Sequence, residues 1–429
     1  MIARYSLPDM ARLWSEEAKF QRWLEVELAA VSAREKNFPQ EVPAGTTSEL
    51  RSKCHINVSR IDEIEATTNH DVIAFVTQVA ETCGEPGRHI HYGMTSSDVV
   101  DTALGLALRD ACDLLLARLD TLLETTRALA KEHHDTEMMG RTHGMHAEPT
   151  TFGIKVAGWV DELSRNRERL LRAKAAVAVG KLSGAVGTYT LLPPDVEAHV
   201  MKELNLAVAT HSTQIVPRDR HAELLSTLAL LGGALERIAL EIRHGQRTEL
   251  GELSEPFGRG QRGSSAMPHK KNPILCERIC GGARVLRGYA LTGFENIALW
   301  MERDISHSST ERIIFPDAFL LMDYLLSIAQ KILSGIVVDR KRMKTIVRSA
   351  LDLHLSQRIL SALVAAGKTR NESYEVVQSA AFTAREKKKS LLKIAAEHNW
   401  WGLPPEAIAE ISNLRPGKYW RTILKRAGV

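Results

Sequence analysis

Leucine and alanine recur three or four residues apart along much of the chain, with polar residues between them. The clearest example covers residues 98–131, which contain no proline. Its apolar stripe consists of Leu104, Leu108, Ala111, Leu115, Leu119 and Leu122. This spacing predicts an amphipathic α-helix that, at about 1.5 Å per residue, is roughly 50 Å long. The same reasoning predicts four further helices over residues 150–179, 219–249, 273–300 and 316–346.

Strand-like alternation of apolar and polar residues is confined to short segments, such as VGTYTLLP at residues 186–193. The segments before residue 94 and after residue 350 carry shorter helices and more loops. We therefore predict an all-α fold with an N-terminal helical domain (1–94), a central bundle of long helices (95–350) and a C-terminal helical domain (351–429). Apolar stripes of this length need partners along most of their extent, so an oligomer is expected. An elongated monomeric bundle is the alternative.

Composition is that of an ordinary globular protein, with 44% apolar and 25% charged residues among 429. A formal net charge of +4 does not point to nucleic acid or a membrane as the main partner. The first residues lack the pattern of a secretory signal, and no apolar run approaches the ~20 residues of a membrane span. The five cysteines show no disulfide-framework spacing, so reduced thiols and a cytoplasmic location are expected. Cys276 and Cys280, four residues apart, indicate helix packing rather than a metal pair.

Four polar clusters lie at or near the ends of the predicted helices. They are TNHDV at residues 68–72, HIHYGMTSSD at 89–98, RTHGMHAEP at 141–149 and GSSAMPHKKNP at 263–273. Long helices can bring such clusters together although they are far apart in sequence. Thr95 and Ser96 are simple N-cap types, but the free N–H groups at a helix start also bind carboxylate or phosphate. His89 and His91 as metal ligands would lack a third partner, so no metal site is predicted.

The fourth cluster combines hydroxyl, cationic and amide groups in a glycine-rich segment. Serine accepts a proton only where its alkoxide is stabilised or the proton is relayed. Lys270 offers positive charge and Asn272 a donor for an oxyanion, while His143 is of the type that transfers protons near neutral pH. The sequence contains no GxSxG elbow or Walker loop, and its GRGQRG at residues 258–263 has the GxGxxG spacing but lies in a polar loop rather than between a predicted strand and a predicted helix, so neither a hydrolase nor a cofactor enzyme is indicated. Proton abstraction next to a carboxylate fits these groups better.

The fourth cluster, named here the signature loop, resembles that of the fumarase–aspartase superfamily of lyases, G-S-S-x-M-P-x-K-x-N-P. In that superfamily the residue after Met-Pro varies with substrate, and His269 is typical of the purine-nucleotide lyases and the carboxymuconate cycloisomerases. The other three clusters are similar to those of the purine branch. Cycloisomerases generally lack the Thr-His pair found here at His143, and His269 speaks against argininosuccinate cleavage. The resemblance extends from Arg4 to about residue 374, with Arg278 departing from the usual smaller polar residue.

The resemblance implies a fumarase/aspartase-like homotetramer without cofactor or metal, whose active sites are each shared between subunits. The implied reaction is β-elimination of fumarate from a succinyl group on a nitrogen of a purine nucleotide. Ser264 would be the base, His143 the general acid with His70 near it, and Lys270 would stabilise the developing charge. The implied substrate-binding residues are Arg4, Tyr5, Asn69, Asp71, His91, Thr95, Ser96, Gln214, Ser265, Asn272, Arg303, Ser308 and Arg312.

Three glycines, at positions 258, 260 and 263, indicate that the signature loop moves. We expect it to be open without ligand and to close over the substrate, excluding water. The alternatives to the purine reaction are another lyase of the superfamily, chiefly argininosuccinate cleavage or carboxymuconate cycloisomerisation, and a catalytically inactive helical scaffold. Retention of the base, the acid and the loop lysine speaks against the scaffold.

Overall fold

The computed structural model describes residues 1–412 and 418–429, and helices dominate it as predicted. The N-terminal segment contains α1 (Pro8–Leu13), α2 (Glu16–Asn37), α3 (Thr46–Lys53), α4 (Val58–Thr68) and α5 (Asp71–Cys83). Single 3-10 turns cover Ala3–Tyr5 and Glu85–His89. The aromatic rings of Phe20 and Phe75 stack with centroids 6.0 Å apart, and Trp23 packs edge-on against both. These rings tie α2 to α5.

A disulfide joins Cys54, just after α3, to Cys83, the last residue of α5. The expectation of five reduced thiols was therefore wrong. Sequence spacing gave no sign of the pair, because the two cysteines are 29 positions apart and the segment between them folds into α4 and α5. Cys276 and Cys280 are buried in one helix, as expected for packing residues.

The middle of the chain contains α6 (Ser96–Glu132), α7 (Phe152–Val177), the short α8 (Pro194–Glu203), α9 (Asp219–Gly245), α10 (Ile274–Glu295) and α11 (Ser306–Gly335). Four of the five predicted long helices are found within a few residues of their predicted bounds. The fifth prediction misplaced both bounds, because Pro316 was taken as the first helical residue and the helix ends at Gly335 rather than near residue 346. The helix in fact begins ten residues earlier, at Ser306, and continues through Pro316.

Within residues 1–412 and 418–429, six short strands form three separate pairs. Strands β1 (Glu137–Thr142) and β2 (Met145–Thr151) make an antiparallel hairpin that the sequence did not predict. Strands β3 (Val179–Gly180) and β4 (Ala207–Val208) are parallel, and β5 (Leu253–Ser254) is antiparallel to β6 (Val337–Val338). Residues 186–193 form turns rather than the expected strand, with Tyr189 in the left-handed region at φ 55°.

The C-terminal part contains α12 (Arg340–Arg348), α13 (Ser356–Ala365), α14 (Arg370–Glu386), α15 (Leu391–Glu397), α16 (Pro405–Ser412) and α17 (Trp420–Arg426). Reciprocal hydrogen bonds between Thr369 and Glu372 cap α14, so its start is fixed by a capping box. The side chains of Ile359, Leu391 and Ile394 are fully buried in a common apolar cluster. This part of the chain therefore has a core of its own.

The chain divides into two compact units, each made of three segments. The first unit comprises Met1–Thr121, Arg165–Glu236 and Arg278–Ala329. The second comprises Leu122–Ser164, Arg237–Glu277 and Gln330–Val429. The division into three sequential domains made from the sequence stays a prediction.

Helix α11 is apolar enough, over an 18-residue window of mean hydropathy 1.4, to cross a membrane by length and composition alone. The prediction that no apolar run approaches the length of a membrane span did not allow for this window. Because 67% of it is buried within the protein, the helix has the character of a core helix.

A buried charge cluster in the first unit fixes the start of α11. The guanidinium of Arg218 donates to both carboxylate oxygens of Asp101 at 2.7 and 2.9 Å. It also donates to Glu311 at 2.9 and 3.1 Å, and Glu311 lies 3.0 Å from the ring of His307. Burial opposes ionisation of Asp101, but the charge and hydrogen bonds of Arg218 lower its pKa to about 2. The cluster therefore holds α6, α9 and the first two turns of α11 in one arrangement.

The buried histidine of α9 gives a testable consequence for stability. Burial, aided by the charge of Arg218, lowers the pKa of His221 from 6.5 to about 4. The unfolded chain therefore takes up a proton on this side chain at a higher pH than the folded protein. The free energy of unfolding should fall as the pH is lowered from 6.5 towards 4, by on the order of 3 kcal/mol from this group.

The variant His221→Phe, which places a second ring beside Phe315, should flatten this part of the curve in urea unfolding measured at several pH values. The exposed His211→Phe is the matched control and should keep the wild-type slope. Equal slopes for wild type and His221→Phe would contradict the assignment.

Candidate active site

The N-terminus of α6 presents two hydroxyl groups that the helix does not use. Asp98 accepts the backbone N–H of Thr95 at 2.8 Å, so the cap is made by the acid in the first turn. The hydroxyls of Thr95 and Ser96 are half-buried and make no hydrogen bond within the described part of the chain. Behind them Asp98 forms an ion pair with Lys181, and neither side chain is exposed. A helix N-terminus of this kind suits a carboxylate or phosphate.

Another polar contact in the first unit joins two residues that are 241 positions apart in sequence. Arg312 of α11 forms an ion pair with Asp71 at the start of α5. Burial alone would raise the pKa of Asp71, but the hydrogen bond and charge of Arg312 lower it. The hydroxyl of Ser308, one turn before Arg312, lies 3.5 Å from the guanidinium. The structure thus brings three predicted binding residues together.

Arg303 and Gln214 also meet, at 3.1 Å between the guanidinium and the amide oxygen. The Nε atom of Arg303 is buried and has no protein partner among the described residues. Near the N-terminus, Arg4 is exposed and the ring of Tyr5 packs 4.9 Å from that of Tyr324. Arg278, the residue that departs from the superfamily pattern, donates to the hydroxyl of Tyr324 at 3.2 Å.

His70 and Asn69 occupy the turn between α4 and α5. The Nδ1 atom of His70 accepts the backbone N–H of Ile73 at 3.3 Å, so this ring caps α5 and its Nε2 carries the proton in the neutral form. His70 contacts no second imidazole among the described residues. Asn69 ends α4 in the left-handed conformation at φ 51°. Both residues therefore have clear local roles, and their predicted catalytic and binding roles stay predictions.

His91 has a partner that the sequence reasoning missed. Glu27 of α2, which is not exposed at all, accepts the ring Nδ1–H of His91 at 2.7 Å and the His91 backbone N–H at the same distance. The available signal was its position in the apolar stripe of α2, four residues after Trp23 and four before Val31, both buried. A glutamate at such a position needs a partner.

The hairpin of β1 and β2 carries His143 in the second unit. His143 and Gly144 form its two-residue turn with φ values of 55° and 77°, as a type I′ turn requires. The side chain of His143 is exposed and has no hydrogen-bond partner in the described ranges. Below the turn, Arg141 makes a bidentate pair with the buried Glu252 at 2.8 and 3.0 Å, which anchors β1.

Ser264 lies in a turn of the signature loop that directs two backbone donors at its oxygen. The N–H groups of Ala266 and Met267 donate to Ser264 Oγ at 3.2 and 3.0 Å. Such donors stabilise negative charge on an oxygen, so they favour the alkoxide of this serine. Ser265 and Lys270 are exposed in the same loop. Among the described residues of the second unit, none of these side chains contacts His143.

The base of the loop is fastened by amides. Asn272 donates to the carbonyl of Gly263 at 2.9 Å, and Gln246 donates to that of Lys271 at 2.9 Å. One N–H of Asn272 is thus used within the loop, although its amide was predicted to donate to a substrate oxyanion. Glu255 accepts the first free N–H groups of α10, those of Leu275 and Cys276. The segment between these anchors is largely exposed.

Residues 4–288 match the protein family described as lyase, which is more than half of the chain, so the protein belongs to that lyase family. Within it, the chain is similar over most of its length to adenylosuccinate lyases. It is 50% identical over 400 residues to the adenylosuccinate lyase of Aquifex aeolicus, covering 92% of this chain and 91% of the relative. It is 48% identical over 412 residues to that of Bacillus subtilis, covering 96% and 95%. The resemblance inferred from the signature loop is confirmed.

Solved structures confirm the all-α fold of this superfamily. A fumarate lyase from a Mesorhizobium species superposes with a TM-score of 0.89 at 28% identity, covering 100% of this chain and 99% of the other. A 3-carboxy-cis,cis-muconate lactonizing enzyme from Pseudomonas putida superposes with a TM-score of 0.87 at 28% identity, covering 99% and 97%. The fold is thus shared by enzymes whose named reactions differ.

The turn around Ser264 should depend on the absence of a side chain at Gly263. A Cβ atom there would lie 2.0 Å from the carbonyl oxygen of Lys270, which is a backbone clash. Gly263→Ala should therefore speed hydrogen exchange of the Ala266 and Met267 amides roughly tenfold, as for about 1.4 kcal/mol of lost local stability. Mass-spectrometric exchange of the peptide spanning residues 263–273 measures this.

The matched control is Gly258→Ala, whose added Cβ would meet only the side chain of Gln261 at 3.7 Å, an ordinary contact. It should leave exchange in the loop unchanged. Wild-type exchange in Gly263→Ala would show that the turn does not require this glycine.

Proposed function

We propose that this protein is an adenylosuccinate lyase. It cleaves fumarate from adenylosuccinate, giving AMP, and from succinylaminoimidazole-carboxamide ribotide, giving the aminoimidazole-carboxamide ribotide. The observation that carries the proposal is the identity of 50% to the Aquifex aeolicus adenylosuccinate lyase over nine-tenths of both chains. The complete set of reactive residues in the signature loop and the β1–β2 turn supports it.

In the proposed reaction Ser264 is the base. Its alkoxide takes a proton from the substrate carbon next to one succinyl carboxylate, and the resulting electron pair delocalises into that carboxylate. The two backbone N–H groups at 3.0 and 3.2 Å from Ser264 Oγ support this assignment, because they stabilise the alkoxide before it reacts. Lys270 and Asn272 lie in the same loop and would stabilise the dianion, while Ser265 would help to hold the carboxylate.

The second half of the elimination breaks the carbon–nitrogen bond. The electron pair of the carbanion forms the double bond of fumarate, and the pair of the broken bond stays on nitrogen. His143 would protonate that nitrogen as general acid, with His70 near it in the complete site. The position of His143 supports this role. Its exposed ring lies on a two-residue turn, so the backbone holds the imidazole, and its nitrogens make no hydrogen bond within the described chain.

The remaining groups of the first unit would bind the charged ends of the substrate. Thr95 and Ser96 at the start of α6 suit the second succinyl carboxylate. Arginine suits bidentate contact with phosphate oxygens. On that basis the nucleotide end would meet Arg303, Arg312, Ser308 and Gln214, with Arg4, Tyr5, Asn69, Asp71 and His91 completing the site.

We further propose a cytoplasmic homotetramer whose active sites combine residues of different copies. Large apolar side chains of the first unit support an assembly, because they are exposed on α9, α10 and α11: Leu230, Val285, Leu291, Phe294 and Ile313. Within the second unit, His143 and Ser264 do not touch, although the reaction needs both at one substrate. A second copy of the chain supplies the missing partner in this proposal.

A second candidate within the superfamily is carboxymuconate cycloisomerisation. The TM-score of 0.87 to the muconate lactonizing enzyme favours it, but the identity of 28% is well below that to the adenylosuccinate lyases. Assaying carboxymuconate and argininosuccinate beside the purine substrates separates these alternatives.

The purified protein should convert adenylosuccinate to AMP and fumarate, followed by the change in ultraviolet absorbance. Ser264→Ala should lower kcat by about 10²- to 10⁴-fold, because the only proposed base is lost, while the oligomeric state by light scattering stays that of the wild type. Ser390→Ala in the second unit is a control that should retain full turnover. No turnover of either purine substrate by the wild type would refute the proposed function.

Shared active sites predict complementation between inactive variants. Ser264→Ala and His143→Ala should each be nearly inactive, yet tetramers reassembled from a mixture of the two should regain a sizeable fraction of wild-type kcat, because some sites contain neither substitution. Mixing without subunit exchange is the control and should give no recovery. Persistent inactivity in tetramers shown by mass spectrometry to be mixed would mean that base and acid come from one chain.

A further inference from the structure

Glu27 is a buried carboxylate with a single charged neighbour. None of its surface is exposed, and within the described chain His91 is its only hydrogen-bond and ion-pair partner. A buried carboxylate without a counter-charge is strongly unfavourable. The pair is therefore most stable when the ring of His91 carries the compensating positive charge.

The contact is bidentate and fixes both the backbone and the ring of His91. One carboxylate oxygen accepts the backbone N–H and the other accepts Nδ1–H, each at 2.7 Å. His91 has φ 60°, a left-handed conformation that is uncommon for a residue with a side chain. Glu27 thus stabilises an unfavourable backbone conformation and at the same time orients the imidazole.

The other edge of the ring is available to a ligand. Nε2 makes no hydrogen bond to any described residue, and 17% of the His91 side chain is exposed. With Nδ1–H held by Glu27, Nε2 is a donor when the ring is cationic and only an acceptor when it is neutral. The hydroxyls of Thr95 and Ser96, at the start of α6, follow His91 by four and five positions. They suit an oxyanion.

We infer that Glu27 is a positioning residue that holds His91 as a cationic hydrogen-bond donor to an oxyanion of the substrate. The inference rests on the proposed function. The oxyanion belongs either to the phosphate of the nucleotide or to a carboxylate of the succinyl group, which share this chemistry.

The charged groups around His91 agree with this role. Burial opposes the cation, but the hydrogen bond and charge of Glu27 and the weaker field of Asp98 raise the pKa of His91. Asp98 itself is paired with Lys181. On the segment of His91 itself, Arg88 lies beside His89. The guanidinium of Arg34, on α2, covers the ring of Tyr92 at 3.6 Å. Replacing Glu27 by glutamine leaves the burial and removes the main stabilising charge, so His91 should lose its proton at a lower pH.

The test compares Glu27→Gln with Glu197→Gln in the assembled enzyme. Glu197 is matched because it is also buried and accepts two hydrogen bonds, from the Leu182 N–H at 2.8 Å and the Tyr189 hydroxyl at 2.9 Å, but no histidine. Protonation of His91 is followed by carbon-13 NMR of histidine Cε1, with the resonance assigned by its loss in His91→Gln. Kinetics with adenylosuccinate are measured over the same pH range.

In Glu27→Gln the His91 resonance should titrate at lower pH, and KM near neutral pH should rise about 10- to 100-fold while kcat changes by only a few-fold. Glu197→Gln should keep the wild-type titration and KM even if its thermal stability falls. Should Glu27→Gln fail to fold, Glu27→Asp is measured instead. It retains the negative charge, so His91 should titrate close to the wild-type pH. An unchanged His91 titration in Glu27→Gln, or an unchanged KM, overturns the inference.

Adding AMP or fumarate to the wild-type protein identifies the oxyanion. The ligand that carries it should shift the His91 resonance, and only that ligand should bind more weakly to Glu27→Gln. A response to neither overturns the ligand contact. Because these spectra need no turnover, failure of the wild type to cleave adenylosuccinate would refute the proposed function and leave the Glu27–His91 pair to be judged by its titration.

Discussion

Buried ion pairs around the first two turns of α6 determine the arrangement of the first unit. Asp98 is paired with Lys181, and Asp101, three residues later, with Arg218, which also reaches Glu311. Charges without exposure are tolerated only when each meets its partner, so a shift of α11 along its axis would unpair Glu311 and Arg218 together. Ser308 and Arg312 follow the paired residues His307 and Glu311 by one position each. The buried contacts of His307 and Glu311 with Arg218 thus set the direction in which the side chains of Ser308 and Arg312 leave the helix.

The groups proposed to react with or bind the substrate are placed by the backbone in a similar way. Asp98 completes the cap of α6 and leaves the hydroxyls of Thr95 and Ser96 unused. A tight turn presents His143, and two peptide N–H groups point at Ser264 Oγ. In each place the hydrogen bonds that shape the local backbone do not use the side chains proposed to react or to bind, apart from the oxygen of Ser264, which accepts two of them. The side chains named as reactive or binding groups therefore remain open to a substrate.

The long helices could be predicted because their apolar spacing reflects burial directly. The start of α11 could not, since the bonds of His307 and Glu311 to Arg218 extend the helix ahead of Pro316. The β1–β2 hairpin was missed because its turn is His-Gly rather than the usual Asn-Gly. The disulfide and the contact of Asp71 with Arg312 depend on distances that only the folded chain creates. The family could be inferred from the resemblance of the signature loop. Composition alone could not distinguish Ser264 from Ser265, but in the structure only Ser264 accepts two backbone N–H groups.

Glu27 also bears on how far this enzyme can be made more robust. It occupies a position in α2 where the surrounding stripe of Trp23, Leu24, Leu28 and Val31 would accommodate leucine or methionine. An apolar residue there would extend the stripe, but replacing Glu27 alone would remove one partner of a buried pair and leave the backbone N–H of His91 without its acceptor, which is strongly destabilising. The resulting protein would have a fully apolar stripe on α2 and a His91 without the group that fixes its ring and its backbone. The polar contact at this position therefore limits how far the core of the first unit can be made apolar.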